Sequence, residues 1–102
     1  MTTYLLGQIR INDPDLYKRY TSNFLSVLAK YEGELLAVDD APEALEGKAS
    51  GDRIVILRFA DRAAAQRWWQ SPEYREIVKH RHASADSQVF VLRGFVPPPA
   101  TA

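Results

Sequence analysis

Four short segments of the chain carry apolar residues at alternating positions, three of them on both alternations, and two longer segments repeat their hydrophobic residues at helical spacing. The alternation predicts strands over residues 4–11, 34–39, 53–60 and 87–94. The helical spacing follows the first and the third of these strands. The order β-α-β followed by β-α-β predicts an α+β fold of the ferredoxin-like type, in which two helices cover one face of a four-stranded antiparallel sheet.

The first helix has clear start and stop signals. Asp13 suits the cap position, and Pro14 suits the first turn, where its missing N–H leaves no hydrogen bond unmade. The helix is expected to run to about Lys30, and Gly33 is expected to end it in a left-handed conformation. One face of this helix carries large apolar and aromatic residues, namely Leu16, Tyr17, Tyr20, Phe24, Val27, Leu28 and Tyr31.

The second helical segment is interrupted. It begins after Asp61, the expected cap of RAAAQRWWQ, and it breaks at Ser71 and Pro72. Because this Ser-Pro pair has cap and first-turn character, a separately capped helical segment is expected to start there. The inner face of that segment is expected to carry Tyr74, Ile77, Val78 and Arg81.

Three of the four predicted strands are apolar on both of their faces. The polar exceptions are Gln8, Arg10, Arg58 and Arg93. Two helices can cover only one face, and a monomer rarely leaves several hundred Å² of apolar surface exposed. A face-to-face homodimer would bury the other face. The alternative is that the chain's own ends cover it.

Composition excludes several classes of protein. The chain has 102 residues, no cysteine and a formal net charge of +0, which excludes disulfides and thiolate sites and argues against a nucleic-acid partner. No apolar run is long enough for a membrane span and no secretory signal is visible, so cytoplasmic residence is expected. We expect one domain over residues 1–96, followed by a mobile proline-rich tail over residues 97–102.

The two histidines are weak candidates for chemistry. His80 and His82 are two positions apart, so on a helix they point to different sides and make a poor metal site. A general-base role for His82 would suit its ordinary pKa, but the competing interpretation is a solvated helix end. We therefore expect no metal and keep His82 only as a weak catalytic candidate.

The aromatic residues and Arg81 are stronger candidates for a binding site. Tyr20, Trp68, Tyr74 and Arg81 are the predicted ligand-binding residues. They could line an apolar cleft between helices and sheet, with Arg81 clamping a carboxylate or enolate oxygen and with Asp13 or Glu46 as further polar groups. The alternatives are that the aromatics only fill the core, and that Arg81 forms a structural ion pair with a loop acid such as Glu46.

These residues form a set that resembles the family called domain of unknown function 1330. The segment Ser71-Pro72-Glu73-Tyr74, followed seven residues later by Arg81, is the most specific part of the resemblance, which spans about Tyr4 to Phe95. One departure is Glu32, where members often have glycine. The remaining matching positions are Asp13-Pro14, Tyr17, Tyr20, Lys30-Tyr31, Gly33, Leu45-Glu46-Gly47, Arg58-Phe59, Ala64-Ala65, Trp68 and Gly94.

The resemblance implies a dimeric α/β barrel and brings no established reaction. The wider group it points to includes cofactor-free monooxygenases, isomerases and proteins with no known activity, and fold alone does not choose among them. The leading hypothesis is a homodimer that binds a small, partly apolar organic molecule without a cofactor. The competing hypotheses are a non-catalytic dimerisation or stress-associated module, and a cofactor-free monooxygenase or isomerase.

Overall fold

A computed structural model describes residues 1–100 of the chain, and it has the predicted ferredoxin-like α+β architecture. The sheet is antiparallel, with strand order β2-β3-β1-β4. The elements are β1 (Thr3–Ile11), α1 (Pro14–Lys30), β2 (Glu34–Asp39), β3 (Arg53–Phe59), α2 (Arg62–Gln70), α3 (Pro72–Ser84) and β4 (Ala85–Arg93).

The strand β1 lies between β3 and β4, and its alternation separates the two faces of the sheet. Leu5, Gly7 and Ile9 are buried on the face that the helices cover. Leu6 lies on the opposite face, directly across from Ile56 on one side and Phe90 on the other. A shift of one residue in this register would exchange the two faces, so the register decides which residues meet the helices.

The three predicted helix caps are confirmed. The backbone N–H of Leu16 donates to the Asp13 carboxylate at 3.2 Å, and that of Ala64 donates to the Asp61 carboxylate at 2.8 Å. At the break between α2 and α3, the Ser71 hydroxyl accepts from the N–H of Tyr74 and donates to a carbonyl of α2. A cap of this kind contributes on the order of 1 kcal/mol.

α1 ends at Lys30, as predicted, but the residue expected to be left-handed after it needs a correction. The left-handed residue after the helix is Glu32, with φ 61°, and Gly33 does not have a positive φ. Gly33 is required by space instead, because a Cβ there would stand 2.4 Å from Leu28 and 2.7 Å from Phe59. The chain therefore turns at a non-glycine residue, and the glycine after it lets the turn approach the core.

The predicted start of the last strand also needs a correction. β4 begins at Ala85, two residues earlier than the pattern indicated, and it follows α3 without a turn. The carbonyl of Ser84 accepts the backbone N–H groups of Asn12 and Asp13 at 2.7 and 3.0 Å. This contact fixes the point at which α3 becomes β4, and sequence alone gives no turn residue to mark it.

The face of the sheet away from the helices has an apolar centre, as predicted, with polar side chains beside it. Its apolar residues are Tyr4, Leu6, Ile54, Ile56, Phe90 and Leu92, and its polar residues include Gln8, Arg10, Arg58 and Gln88. Phe90 and Leu92 are each 46% exposed. The C-terminal segment within the described residues does not cover this face, because Phe95 and Val96 are 83% and 67% exposed.

The C-terminal end of the chain agrees in part with the predicted tail. The predicted mobile tail, 97–102, has no regular secondary structure over residues 97–100, and residues 101 and 102 lie outside the described part. Its mobility stays a prediction.

None of the helices within residues 1–100 is both long and apolar enough to cross a membrane.

Candidate functional site

A cavity of about 200 Å³ lies between the helices and the covered face of the sheet. For comparison, an apolar cavity of roughly 150 Å³ is large enough to hold benzene. The core is therefore not filled, and the space suits one small ring or a short chain. The residues that line it come from all seven elements, and they are Leu5, Gly7, Ile9, Tyr17, Tyr20, Thr21, Phe24, Leu25, Leu35, Val38, Arg53, Val55, Leu57, Trp68, Trp69, Tyr74, Arg81 and Val89.

Two tyrosine hydroxyls meet at the wall of the cavity. The phenolic oxygens of Tyr20 on α1 and Tyr74 on α3 are 2.9 Å apart, and both residues are buried. Burial first, and then the neighbouring Tyr74, raise the pKa of Tyr20 well above its ordinary value. Tyr20 therefore stays neutral near pH 7. Since only one of the two hydroxyl protons can lie in the shared hydrogen bond, the other remains available to a ligand.

Arg81 is the charged residue beside this pair. It is 3% exposed, and its guanidinium carbon stands 5.6 Å from the centre of the Tyr20 ring. Burial opposes its charge, but Tyr74 and Tyr20 raise its pKa, which lies above the ordinary value. No carboxylate within residues 1–100 forms an ion pair with Arg81. A buried cation without an acid partner is costly, and it favours a site for an anion.

The proposed structural ion pair with Glu46 is not formed. Glu46 lies exposed in the loop between β2 and β3, and it makes no ion pair with Arg81. The other arginine that lines the cavity does have a carboxylate partner. Arg53 pairs with Asp40, and its guanidinium also lies 5.2 Å from the centre of the Tyr17 ring. Arg81 thus differs from Arg53 in lacking an acid.

The indole of Trp68 offers a second unmatched donor. Trp68 is 2% exposed, and its Nε1–H has no hydrogen-bond acceptor within the described residues. The ring packs against Tyr74 with centroids 4.0 Å apart and against Phe59 at 5.5 Å. A buried donor without an acceptor costs roughly 1–3 kcal/mol, so an acceptor on a ligand could relieve that cost.

The structure brings the four predicted ligand-binding residues together. Tyr20, Trp68, Tyr74 and Arg81 all line the cavity. His82, the weak catalytic candidate, is exposed and does not line it. Partial burial and the charges of Arg81 and Arg75 lower the pKa of His82.

The remaining polar candidates lie elsewhere. Asp13 is occupied in capping α1, and Glu46 is exposed in its loop. Residues 1–100 contain no cluster of three or more histidine or acidic side chains placed to hold a metal ion.

Most of the lining residues were not among the four predicted ligand-binding residues, and Tyr17, Arg53 and Gly7 show why. Tyr17 could have been found, because it shares a helical face with Tyr20. Arg53 and Gly7 could not, because their inclusion depends on the register of the sheet. Arg53 lies opposite Ile9, and Gly7 lies opposite both Val55 and Val89.

The arrangement combines apolar walls with hydrogen-bond donors and excess positive charge. Among residues 1–100, no aspartate, glutamate or histidine lines the cavity. The polar groups are tyrosine hydroxyls, an indole N–H and guanidinium groups, of which Arg81 lacks a carboxylate partner within residues 1–100. Such a site can hold a molecule that has an apolar body and one anionic group.

The fold and this cavity define a ferredoxin-like α+β protein with a partly open, donor-rich cavity under its helices. The sequence model of the family described as domain of unknown function (DUF1330) matches residues 2–95. The chain therefore belongs to this family, as the sequence motifs indicated. No curated protein sequence matches the chain.

Several solved structures have the same fold. RPA0582, a protein of unknown function from Rhodopseudomonas palustris, is 23% identical, with a TM-score of 0.78 over 94% of this chain and 84% of its own. SnoaB, a cofactor-independent oxygenase from Streptomyces nogalater, is 12% identical, with a TM-score of 0.67 over 97% of this chain and 98% of its own. HapK from Hahella chejuensis is 16% identical, with a TM-score of 0.64 over 100% of both chains. At these identities the likeness shows the fold alone.

Proposed function

We propose that this protein binds a small organic anion with an apolar body in the cavity between its helices and its sheet. The observation that carries the proposal is Arg81, a buried cation on the cavity wall with no carboxylate partner within residues 1–100. A ligand carboxylate would supply the missing negative charge. Hydrogen bonds to charged groups contribute about 1.5–3 kcal/mol, roughly twice as much as neutral ones.

The neutral donors and the apolar walls define the rest of the ligand. The Tyr20 and Tyr74 pair can donate one proton to a ligand oxygen, and Trp68 has an unused N–H. The remaining walls are mostly aliphatic and aromatic carbon, which favours a hydrocarbon body over a sugar or a phosphate.

Binding is better supported than general-base catalysis. The part of the cavity wall that residues 1–100 form carries no carboxylate or imidazole, and the raised pKa of Tyr20 makes it a poor base near neutral pH. The oxygenase activity stated for SnoaB therefore stays a property of that protein. His82, the one candidate base from the sequence, lies off the cavity wall.

Matched pairs of ligands test the proposal. Benzoate with benzamide, and hexanoate with hexanamide, differ mainly in their charge. At millimolar concentration each acid anion should raise the melting temperature of the full chain, because a ligand that binds only the native state stabilises it. The neutral amides should raise it much less. If neither anion shifts the melting temperature, or if the amides act equally well, the proposal is wrong.

We also propose that the face of the sheet away from the helices, here called the open face, packs against the same face of a second copy of the chain. A two-fold pair would bury Leu6, Ile56 and Phe90 against their symmetry equivalents. Two observations support this arrangement. Phe90 and Leu92 on this face are each 46% exposed, and the C-terminal residues Phe95 and Val96 do not cover it. The helices and the cavity would then lie on the outside of the dimer.

A pair of matched substitutions tests the dimer. Phe90→Lys places a charge on the open face, whereas Phe95→Lys places the same charge outside the sheet. Sedimentation should give a dimer for the natural chain and for Phe95→Lys, and a shift towards the 11.5 kDa monomer for Phe90→Lys. A natural chain that sediments as a monomer at micromolar concentration would exclude the dimer.

A further inference from the structure

Gly7 stands at the centre of the cavity floor, and nothing in its backbone requires a glycine. Its φ is not in the left-handed region. A Cβ built there would meet its nearest neighbours, Ile9 and Val55, at 3.7 and 3.8 Å, which are ordinary van der Waals contacts. Glycine is also unfavourable inside a strand, because it has more freedom to lose and no side chain to pack. The missing side chain therefore leaves space without any gain to the fold.

The neighbours of Gly7 turn this missing side chain into a depression. Leu5 and Ile9 precede and follow it on the same face of β1, and Val55 and Val89 lie directly across from it on β3 and β4. All four line the cavity. With about 3.3 Å per residue and about 4.8 Å between strands, the four Cα positions span roughly 13 by 10 Å. The floor is a shallow apolar basin whose deepest point is Gly7.

Aromatic rings lie above this basin. Tyr20 and Phe24 of α1 pack with ring centroids 5.4 Å apart, and Phe24 meets Trp68 edge-on at 6.1 Å. All three line the cavity. This arrangement suits a flat aromatic ring. One face of the ring can pack against the apolar floor at Gly7, and the other can pack against the aromatic side chains above it.

We infer that Gly7 determines which ligands fit, by leaving room for the ring of a monocyclic aromatic carboxylate whose anionic group meets Arg81. This inference rests on the proposed function. It adds that the apolar body of the ligand is an aromatic ring and that Gly7 leaves the space for that ring. A methyl group at position 7 would occupy the deepest part of the basin. It should exclude a rigid ring far more than a flexible chain, which can bend away from it.

Calorimetric titration of benzoate and hexanoate into the natural chain and into Gly7→Ala tests the inference. We expect Gly7→Ala to lower the affinity for benzoate by about tenfold or more, because an added methyl group is poorly tolerated in a space that the ring already fills. The affinity for hexanoate should fall by less than about threefold. The melting temperature of the unliganded variant should equal or exceed that of the natural chain. Equal effects on both ligands, or no effect on benzoate, would overturn the inference.

The outcomes separate this inference from the proposed function. If the natural chain binds neither anion, the proposed function itself fails. If it binds both and Gly7→Ala changes neither, only the role of Gly7 fails. Should Gly7→Ala not fold, the natural chain decides the matter by NMR. Nuclear Overhauser contacts between the benzoate ring protons and the Gly7 Hα protons are expected, and their absence at saturating benzoate would overturn the inference.

Discussion

The hydroxyl oxygens of Tyr20 and Tyr74 lie 2.9 Å apart and join α1 to α3 inside the core. The guanidinium of Arg81 stands over the Tyr20 ring, 5.6 Å from its centre, so the pair and the cation form one polar wall of the cavity. This wall holds a buried positive charge and spare donors, and no acid within residues 1–100 balances them. The account of the protein's function depends on that imbalance.

Replacing Tyr20 by phenylalanine tests the donor pair. The change removes one hydroxyl and leaves that of Tyr74 without its partner, so the free energy of unfolding should fall by about 1 kcal/mol. Benzoate should bind about twofold to tenfold more weakly, since one neutral hydrogen bond contributes roughly 0.5–1.5 kcal/mol. Both effects can be measured by urea unfolding and by titration calorimetry.

Tyr31→Phe is the matched control for this change. The Tyr31 hydroxyl donates to Glu73 at 2.9 Å, and Tyr31 does not line the cavity. This variant should lose some stability and keep its affinity for benzoate. Equal affinities for the natural chain and Tyr20→Phe would show that the hydroxyl pair does not contact the ligand.

The contact between Glu73 and α1 predicts a dependence of stability on pH. The Lys30 ammonium, a backbone N–H and the Tyr31 hydroxyl lower the pKa of Glu73 from its ordinary 4.5 to about 2. Because the pKa is lower in the folded chain, this contribution is complete above the unfolded value and is lost as pH falls towards 2. The difference in unfolding free energy between the natural chain and Glu73→Gln should be constant above about pH 5 and should narrow below it.

Urea unfolding at several pH values between 6 and 2.5 measures that difference. Glu43→Gln, in the exposed loop and without an ion pair, serves as the control and should track the natural chain throughout. A gap for Glu73→Gln that is unchanged at pH 3 would mean that the carboxylate is not held by Lys30 and Tyr31.

The turn after α1 predicts opposite effects for two neighbouring substitutions. Glu32 has φ 61°, a conformation that costs a non-glycine residue about 1–2 kcal/mol. Glu32→Gly should therefore raise the free energy of unfolding, by about 0.5–1 kcal/mol after the added freedom of the unfolded chain is counted. Gly33→Ala should lower it by about 1–3 kcal/mol, because its Cβ would overlap Leu28 and Phe59. Chemical denaturation should show the two midpoints moving in opposite directions, and movement in the same direction would refute the account of this turn.

Local signals in the sequence were sufficient for the points at which the helices begin. Asp13, Asp61 and Ser71 each precede a helix with the side chain that caps it, and capping depends only on residues a few positions away. The turn at Glu32 was misassigned for a related reason. Glycine is the usual left-handed residue, but here the space beside Phe59 fixes the position of Gly33.

The cavity could be predicted only in part. Tyr20, Trp68, Tyr74 and Arg81 were found from their helical faces and from the family motif, and all four line it. Gly7 was not found, because its place depends on which residues of β3 and β4 lie across from it. The sequence also could not show that Arg81 lacks an acid partner, because an ion pair with Glu46 was a reasonable alternative to a ligand.

Arg81→Met tests whether Arg81 anchors the fold or meets a ligand. Methionine keeps much of the volume and removes the charge. Loss of one member of a buried ion pair costs about 3–5 kcal/mol, whereas removing a buried cation that has no acid partner should leave the unfolding free energy unchanged or raise it. Lys79→Met is the matched control, because it removes one positive charge from the exposed side of the same helix.

The most direct measurement is the dissociation constant of benzoate for the natural chain, for Arg81→Met and for Lys79→Met, by titration calorimetry at one salt concentration. The account predicts that Arg81→Met binds about 10- to 150-fold more weakly, which corresponds to the loss of a charge-assisted hydrogen bond, while Lys79→Met binds as the natural chain does. Equal affinity of Arg81→Met and the natural chain would contradict the central claim that the cavity holds an anion against Arg81.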